Sequence, residues 1–469
     1  MTDSENMVEN QTFDELAVGL TAEQTHVCTG DDLLIFANAS GNHNPIHIPD
    51  VDGDGDGEDE AVAPGMYIAS LMSAVLGNKL PGPGTLYRSQ SLEFHERAHE
   101  GDELCSRVTV TAKHADGTVD LDTEVRRTAD NALVLSGKAR VIAPKRKVVY
   151  NDQNIPGLTV RTHHHFEALL HKAAPLPALR TVVVCPEDAS SLGGALLAER
   201  HTIITPILVG NRDKIAATAK EIGEDISGFE LVHEPRPRLA AETSIRLVNE
   251  GRAEAVMKGH LHTDDLLRPA LERQTGLRMG RRFTHIFVMD VPGLAHPLLV
   301  TDAAINIAPD LPTKVDICQN AIDLAISIGI AEPKVGVLSA VETVNPDIPS
   351  SMDAALLSKM AERGQITGGI VDGPLAMDNA VDLAAARAKG IRSAVAGRAE
   401  VLVVPGIDAG NMLAKQLAYI SHAEAAGLVM GARVPIILNS RSDSEMSRLA
   451  SCAVAAIHHA RINGIQPQE

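Results

Sequence analysis

The sequence predicts two domains of different class, an α+β domain followed by an α/β domain. Over residues 106–144, apolar and polar residues alternate around two short turns, ADG and ADN, as in an antiparallel meander with one exposed face. Over residues 256–443, an apolar run, a polar loop and a helix start recur four times. The segment 143–166 separates the two patterns with basic residues followed by Asn, Pro and Gly. We therefore place the domains at residues 1–150 and 151–469.

One long helix is predicted ahead of the meander, in the segment APGMYIASLMSAVLGNKL at residues 63–80. A single helix wrapped by a curved antiparallel sheet is the hotdog arrangement. We expect that fold for the first domain.

The composition excludes several classes of function. A net charge of -19 over 469 residues leaves no broad basic face for nucleic acid or for an anionic membrane surface. The N-terminus is acidic and polar, and no apolar run approaches the roughly 20 residues of a membrane span. The five cysteines are scattered without CxxC spacing, which is typical of reduced thiols. We expect a cytoplasmic protein in which any bound phosphate is small and locally held.

The four repeats of the second domain predict an anion site. They read AVMKGHLHTDDLLRPAL, HPLLVTDAAINIAPDL, GGIVDGPLAMDNAVDLAAA and EVLVVPGIDAGNMLAKQL. In each, aliphatic residues predict a buried strand, and Asp, Thr, Asn or Gly is expected to cap the next helix. Loops of this kind gather at the carboxyl ends of parallel strands, where helix N-termini carry partial positive charge.

The first domain resembles the MaoC-like (R)-specific enoyl-CoA hydratases. The resemblance rests on FANASGNHNPIHIPD and on the helix segment that follows it, through TLYRSQSLEF. The family signature is SGD-x-NP-x-H, and the residues that match it are Ser40, Gly41, Asn44, Pro45 and His47. The position of the family's acid is occupied by Asn42.

This resemblance implies water addition to an enoyl thioester. His47 would act as the base, and Gly65 at the helix start would offer its N–H to the thioester oxygen. Asn42 can only form hydrogen bonds where a carboxylate would take a proton. An active hydratase and a domain that binds acyl-CoA or dimerises without turnover both stay open.

The second domain resembles the phosphate acetyltransferases and phosphate butyryltransferases. Matching segments include SLGGALLAERHTIITPILVGNRDKI, VMKGHLHTDDLLRPAL, TDAAINIAPDL, GQITGGIVDGPLAMDNAV and GARVPIILNSRSDSEMSRLASCAVA. The resemblance implies an α/β domain of two lobes with the active cleft between them. The whole chain resembles the bifunctional enoyl-CoA hydratase/phosphate acetyltransferases.

The implied reaction transfers a short acyl group between CoA and inorganic phosphate. Arginine suits a phosphate clamp because its guanidinium donates two parallel hydrogen bonds. By resemblance, Ser440 and Arg441 lie beside the thiol and the acyl phosphate, and Arg268 holds the phosphoryl or acyl-carbonyl oxygen. Attack by the CoA thiol is helped by a base, for which Asp443 is the first candidate and Glu445 the second.

Further polar residues at the strand ends are candidates for substrate binding. Lys258 would steer the anion, and Thr263 most simply caps the following helix. Asp302 and Asn306 follow HPLLV, and the pair Asp372 and Asn379 follows GGIV; each lines the cleft or forms a cap or turn.

No metal and no cofactor besides the CoA thioester substrate is expected. The loop at Asp50, Asp52, Asp54 and Gly55 has Ala61 where a calcium site needs Glu, and His260 and His262 lack matching ligands. The expected partners are acyl-CoA or CoA and phosphate or acyl phosphate, in a homo-oligomer. The alternative is an acyl-CoA-binding regulatory protein with one or both catalytic sites inactive.

Overall fold

The protein divides into two compact units, residues 1–160 and 161–469, in a computed structural model that describes residues 7–49, 51, 61–151, 164–440 and 443–466. Residues 152–163, next to the predicted domain boundary, lie outside the described part. The boundary between 150 and 151 therefore stays a prediction. No helix within the described ranges is both long enough and apolar enough to cross a membrane.

The first unit contains seven strands and two α-helices among its described residues. The strands are β1 (Met7–Glu9), β2 (Thr21–Val27), β3 (Leu86–Phe94), β4 (Glu103–Lys113), β5 (Thr118–Arg127), β6 (Leu133–Ile142) and β7 (Val149–Asn151). The helices are α1 (Gly30–Ser40) and α2 (Gly65–Asn78), with a 3-10 turn at Pro45–His47.

An antiparallel five-stranded sheet packs against helix α2 in this unit. The strand order is β2-β4-β5-β6-β3, and β1 pairs with β7 in a separate two-stranded sheet. Helix α2 buries Tyr67, Ile68, Met72 and Val75, and the alternating strands β4 and β5 bury every second side chain beneath it. The predicted helix, meander and hotdog fold are confirmed.

The second unit alternates strands and helices. Its strands are β8 (Leu179–Val184), β9 (Ile204–Gly210), β10 (Glu230–His233), β11 (Ala255–Lys258), β12 (Thr284–Asp290), β13 (Leu298–Thr301), β14 (Lys334–Leu338), β15 (Ile370–Leu375), β16 (Val401–Val403), β17 (Glu424–Met430) and β18 (Ile436–Ile437). Its helices are α3 (His164–Ala173), α4 (Ala189–Arg200), α5 (Arg212–Ile222), α6 (Pro237–Asn249), α7 (Thr263–Ala270), α8 (Leu311–Ile328), α9 (Pro349–Glu362), α10 (Met377–Val381), α11 (Leu383–Ala388), α12 (Ile407–Tyr419) and α13 (Glu445–Asn463).

These strands form one sheet in the order β10-β9-β8-β11-β18-β17-β12-β13-β16-β14-β15. The first five run parallel to one another and form the first half of the sheet. The last four are also mutually parallel and form the second half. Three successive antiparallel pairs, β18–β17, β17–β12 and β12–β13, join the halves, which therefore run in opposite directions.

The predicted strands and two-lobed α/β class are confirmed, with each lobe built on one half of the sheet. A separate apolar cluster covers each half, and a third contains strand residues of both, such as Val183 and Leu299.

The expectation that all four strand-end loops share one edge is wrong. The loop after β11 leaves in one direction, and those after β13, β15 and β16 leave in the other.

Helix α13 is buried along most of its length, because small residues such as Ala450 and Ala453 let it lie against the sheet and neighbouring helices. It also buries two basic residues, Arg448 and His458. Burial lowers the pKa of His458 to about 4, because the charged imidazolium loses its hydration. The ring accepts or donates a hydrogen bond at 2.9 Å between Nδ1 and Ser327 Oγ.

The stability of the second unit should therefore fall as the solution is acidified through the ordinary pKa of histidine. Below about pH 6.5 this histidine binds a proton in the unfolded chain. In the folded protein it does so only below about pH 4. Between pH 7 and pH 5 this group should remove about 2 kcal/mol from the free energy of unfolding. Urea titrations of the wild type and His458→Gln measure it, and the variant should show the shallower pH dependence. Equal pH dependence in both proteins would refute the assignment.

Candidate active site

A cavity of about 350 Å³ opens in the second unit beside the central strands. It is lined by Lys258, Leu261, His262, Thr263, Phe287, Ala304, Asn411, Ala414, Lys415, Ala418, Tyr419, Ala425, Leu438, Asn439, Ser440 and Asp443. Four predicted site residues, Lys258, Thr263, Ser440 and Asp443, therefore share one cavity.

The register of the central strands explains why residues of opposed strands meet here. Met257 pairs with Ile437, Ile437 with Leu428, Leu428 with Ile286, and Ile286 with Thr301. This row contains the last residue of β13, and β11 ends one residue beyond it. Because both strands are short, their chains leave the sheet at nearly the same level although they run in opposite directions.

Lys258 and helix α7 form one wall of the cavity. Lys258 is only 5% exposed. Helix α7 begins at Thr263 with His262 as its N-cap, and no side-chain hydrogen bond caps it. The prediction that Thr263 caps this helix is wrong, because the chain is already helical at that residue. The prediction that Asp, Thr, Asn or Gly caps the helices of the repeats is confirmed for Asp310 at α8 and Gly406 at α12. It is wrong for α10, whose N-cap is Ala376.

Leu438, Asn439, Ser440 and Asp443, which together with Ser444 are called the Ser440 loop, form a second wall. The Ser440 amide donates to Asp443 Oδ2 at 2.8 Å, and Asn439 Nδ2 donates to the same oxygen at 3.3 Å. Asn439 is 1% exposed and also donates to Ser451 Oγ in helix α13. These bonds fix the Asp443 carboxylate next to Ser440. Arg441 and Ser442 lie outside the described residues, so the predicted role of Arg441 stays a prediction.

Asp302 and Asn306 organise the loop after β13. Asp302 is 1% exposed, and its carboxylate accepts from the amides of Ala304, Ile305 and Asn306. Asn306 Nδ2 donates to Asp302 Oδ2 and to the Phe283 carbonyl. Ala304 lies on the cavity, whereas these two polar side chains lie behind it. Their substrate-binding roles stay predictions.

Other predicted residues lie elsewhere in the second unit. Arg268 is exposed and lines a separate groove between α6 and α7, with Arg238 and Glu272. Asp372 accepts from Ser358 Oγ and from the Gly373 amide in the second half of the sheet. The structure thus does not bring Arg268 to the Ser440 cavity, and its role stays a prediction.

The exposed Glu445, the second candidate base, begins helix α13 directly after the Ser440 loop. Buried Asn379 donates to Glu342 in the second half of the sheet. Neither residue belongs to the cavity lining.

Sequence reasoning missed His285, which is fully buried at the start of β12. Its Nε2 lies 3.3 Å from the Leu438 carbonyl, and its ring stacks edge-on against Phe287. Burial lowers the pKa of His285, although the nearby carboxylates of Asp302 and Asp443 act in the opposite direction. A single histidine within an apolar strand gives no sequence signal, because core histidines look the same.

Of the candidate residues of the first unit, His47 and Gly65 lie near the start of helix α2, and Asn42 follows the end of helix α1. His47 Nδ1 donates to the Val62 carbonyl at 2.7 Å, because a carbonyl can only accept, and the lone pair is therefore on Nε2. Asn42 is exposed, and its Oδ1 accepts from the Asn44 amide at 3.4 Å.

Gly65 begins helix α2 without a side-chain cap, and a Cβ there would lie 2.6 Å from Phe94 Cε1. Its glycine identity thus permits the close approach of an aromatic ring. Asp50, Asp52, Asp54 and Gly55 lie outside the described residues.

Comparison with known proteins gives two matching families. The sequence model of the phosphate acetyl/butaryl transferase family matches residues 237–456, and that of the MaoC like domain matches residues 15–131. The chain is 57% identical over 293 residues to a phosphate acetyltransferase of Rhizobium meliloti, covering 62% of this chain and 92% of that protein. It is 39% identical to a phosphate butyryltransferase of Clostridium acetobutylicum, covering 62% and 97%.

A solved structure gives the same assignment for the second unit. The crystal structure of a branched-chain phosphotransacylase from Enterococcus faecalis is similar with a TM-score of 0.53 and 29% identity, covering 60% of this chain and 99% of that one. The fold and cavity thus define a phosphotransacylase-type α/β unit. The chain belongs to the phosphate acetyl/butyryltransferase family and carries a MaoC-like domain at its N-terminal end.

Replacing Asp302 by Asn should destabilise the second unit, because the new amide would direct a donor towards the donors of Asn306. We expect the free energy of unfolding to fall by about 2 kcal/mol, the usual cost of leaving buried hydrogen-bonding groups unsatisfied. Urea denaturation measures this, with the exposed Asp408→Asn as the control. Unchanged stability together with lost activity would instead identify Asp302 as a substrate ligand.

Proposed function

We propose that the protein transfers a short acyl group from CoA to inorganic phosphate, giving acyl phosphate and free CoA, and catalyses the reverse reaction. The observation that carries the proposal is the single cavity containing Lys258, Ser440 and Asp443 together with an apolar wall. The names of the related acetyl- and butyryltransferases support it.

The polar side of the cavity suits the charged reactants. In the forward direction a phosphate oxygen attacks the thioester carbonyl, the C–S bond breaks, and CoA leaves as a thiolate that takes up a proton. Lys258 supplies positive charge in a poorly hydrated position, where its attraction for phosphate is strongest. In reverse, Asp443 accepts the thiol proton, while the bonds from Ser440 and Asn439 hold its carboxylate in place.

The opposite side of the cavity suits the acyl chain. Ala414 and Ala418 lie one turn apart on α12, and Ala425 and Phe287 face the same space. Small side chains on this wall leave room for more than an acetyl group. We therefore propose that acyl groups of two to about four carbons are substrates.

The activity is tested by mixing the purified protein with phosphate and acetyl-, propionyl- or butyryl-CoA and following the release of free thiol. The wild type should release thiol. In the reverse direction, followed as loss of free thiol when acyl phosphate and CoA are mixed, Asp443→Asn should lower kcat by about 10²-fold or more, because a base is lost. Asp213→Asn, which neutralises an exposed carboxylate on α5, is the matched control and should leave kcat unchanged. A folded wild type that releases no thiol with any of the three substrates would contradict the proposed transfer.

We propose enoyl-CoA hydration as a second, weaker activity of the first unit. The observation that favours it is the Nδ1 hydrogen bond of His47, which leaves Nε2 as the atom able to take a proton from water. The hydroxide formed would add to C3 of the enoyl group, and C2 would receive a proton. The amide at Asn42 cannot share the proton-transfer step.

Restoring a carboxylate at residue 42 should therefore raise hydration of crotonyl-CoA by about 10²-fold, the usual contribution of a positioned acid or base. The assay follows loss of the enoyl absorbance for the wild type, Asn42→Asp and His47→Gln. Asn38→Asp adds the same charge to helix α1 and should have no effect. Equal rates for the wild type and Asn42→Asp would show that the residue-42 carboxylate is not needed.

An acyl-CoA-binding regulator without turnover is not favoured, since the relatives are named as enzymes. A homo-oligomeric state, a cytoplasmic location and the lack of a further cofactor stay proposals that rest on the resemblance.

A further inference from the structure

Helix α13 carries a buried arginine directly beneath the Ser440 loop. Arg448 is 2% exposed, and its Nη2 donates to the Ser440 carbonyl at 2.9 Å. The same nitrogen lies 3.3 Å from Ser190 Oγ, in the first turn of α4. One guanidinium thus connects the loop to a helix that is remote in sequence.

This arginine occupies an unfavourable position for a purely structural side chain. Its Nε and Nη1 atoms are buried and have no hydrogen-bond partner among the described residues. Burial lowers the pKa of Arg448, and the nearby carboxylates of Asp188 and Asp443 act in the opposite direction. Burying this cation with two nitrogen atoms unsatisfied carries a desolvation cost, which offsets part of what its hydrogen bonds contribute to stability.

The surrounding backbone is shaped to admit the side chain. A Cβ at Gly194 would lie 2.6 Å from Arg448 Cδ, so α4 approaches the arginine stem at a glycine. Asp188 caps α4 and accepts from Ser190 and Ser191, and His260 Nδ1 lies 3.3 Å from its Oδ2. His260 belongs to the loop after β11, and Lys258 is the last residue of β11. The chain of contacts that runs from Arg448 through Ser190 and Asp188 therefore extends to the segment that places Lys258 at the cavity.

We propose that Arg448 is a positioning residue for acyl transfer: it holds the Ser440 carbonyl against α4 and so keeps Ser440 and Asp443 aligned with the cavity. The proposal rests on the transferase function proposed above. Arg448 does not line the cavity, so it acts through the loop and not on the substrate. The guanidinium is suited to this role because Nη2 carries two N–H bonds, which it can donate to the Ser440 carbonyl and to Ser190 Oγ at the same time.

Three measurements on Arg448→Met test this role: the thermal midpoint, kcat and hydrogen–deuterium exchange. The variant should keep a thermal midpoint close to that of the wild type, while kcat falls by about 10²-fold, as expected for a misplaced reacting group. Hydrogen–deuterium exchange of the peptide containing residues 436–446 should become faster, whether or not the protein shows transferase activity. Arg461→Met, which removes an exposed arginine from the last turn of the same helix, is the matched control and should change neither quantity.

Chemical rescue separates positioning from packing. Millimolar guanidinium should restore part of the kcat of Arg448→Ala by occupying the vacated space, whereas it should not improve the wild type or Arg461→Met. Unchanged exchange in Arg448→Met would overturn the proposal, and so would an equal loss of activity in Arg461→Met or an activity loss without guanidinium rescue. If the wild type itself releases no thiol, the proposed function fails, but the exchange result still decides whether Arg448 holds the loop.

Discussion

The antiparallel pairing of β12 with β17 and their neighbours is the constraint on which the second unit depends. It joins two parallel groups of strands that would otherwise form separate sheets, and it reverses the direction of the chain between them. A doubly wound sheet usually collects its loops at one edge. Here, because of the reversal, chain segments that leave oppositely directed strands meet in the middle of the sheet, where the short strands β11 and β13 end at nearly the same level. The cavity forms over that point.

The amino-acid composition allows the helices of this unit to pack at short distances from the sheet and from one another. The chain has no Trp, and few aromatic residues, so alanine and branched aliphatic side chains fill its core. Helix α13 can therefore be buried on most sides, and α12 can present Ala414 and Ala418 to the cavity without filling it. Close packing of this kind leaves little freedom for the side chains that are charged, which is why buried Arg448, His285 and His458 have so few partners.

Periodicity and turn chemistry were enough to predict part of each unit. Apolar spacing predicts helix α2 and the meander of β4, β5 and β6, and the four repeats predict β11, β13, β15 and β16. The direction of the strands was not predictable, because an apolar run reads the same in parallel and antiparallel pairs. Within the site, Ser440, Asp443, Lys258 and Thr263 line one cavity, and their roles stay predictions.

The misses have physical reasons. Thr263 was expected to cap α7, but helix boundaries depend on backbone angles that a polar residue only favours. The role of Arg268 stays a prediction; the residue lies on a helix whose exposed face could not be deduced from the motif alone. The roles of Asn439 and Arg448 can be recognised only from the packing of α13 beneath the Ser440 loop. In the sequence, a buried arginine cannot be distinguished from one on a helix surface.

Helix α4 carries two adjacent glycines where it passes the start of α13. Gly194 faces the stem of Arg448, and Gly193 faces the carboxylate of Glu445. Glycine lowers the intrinsic stability of a helix interior, so its presence here reflects the need for close approach. The two segments are far apart along the chain, yet the space that a side chain at residue 194 would need is already filled by the stem of Arg448. A larger residue there would have to displace Arg448, so the close approach of α4 and the buried arginine of α13 depend on each other.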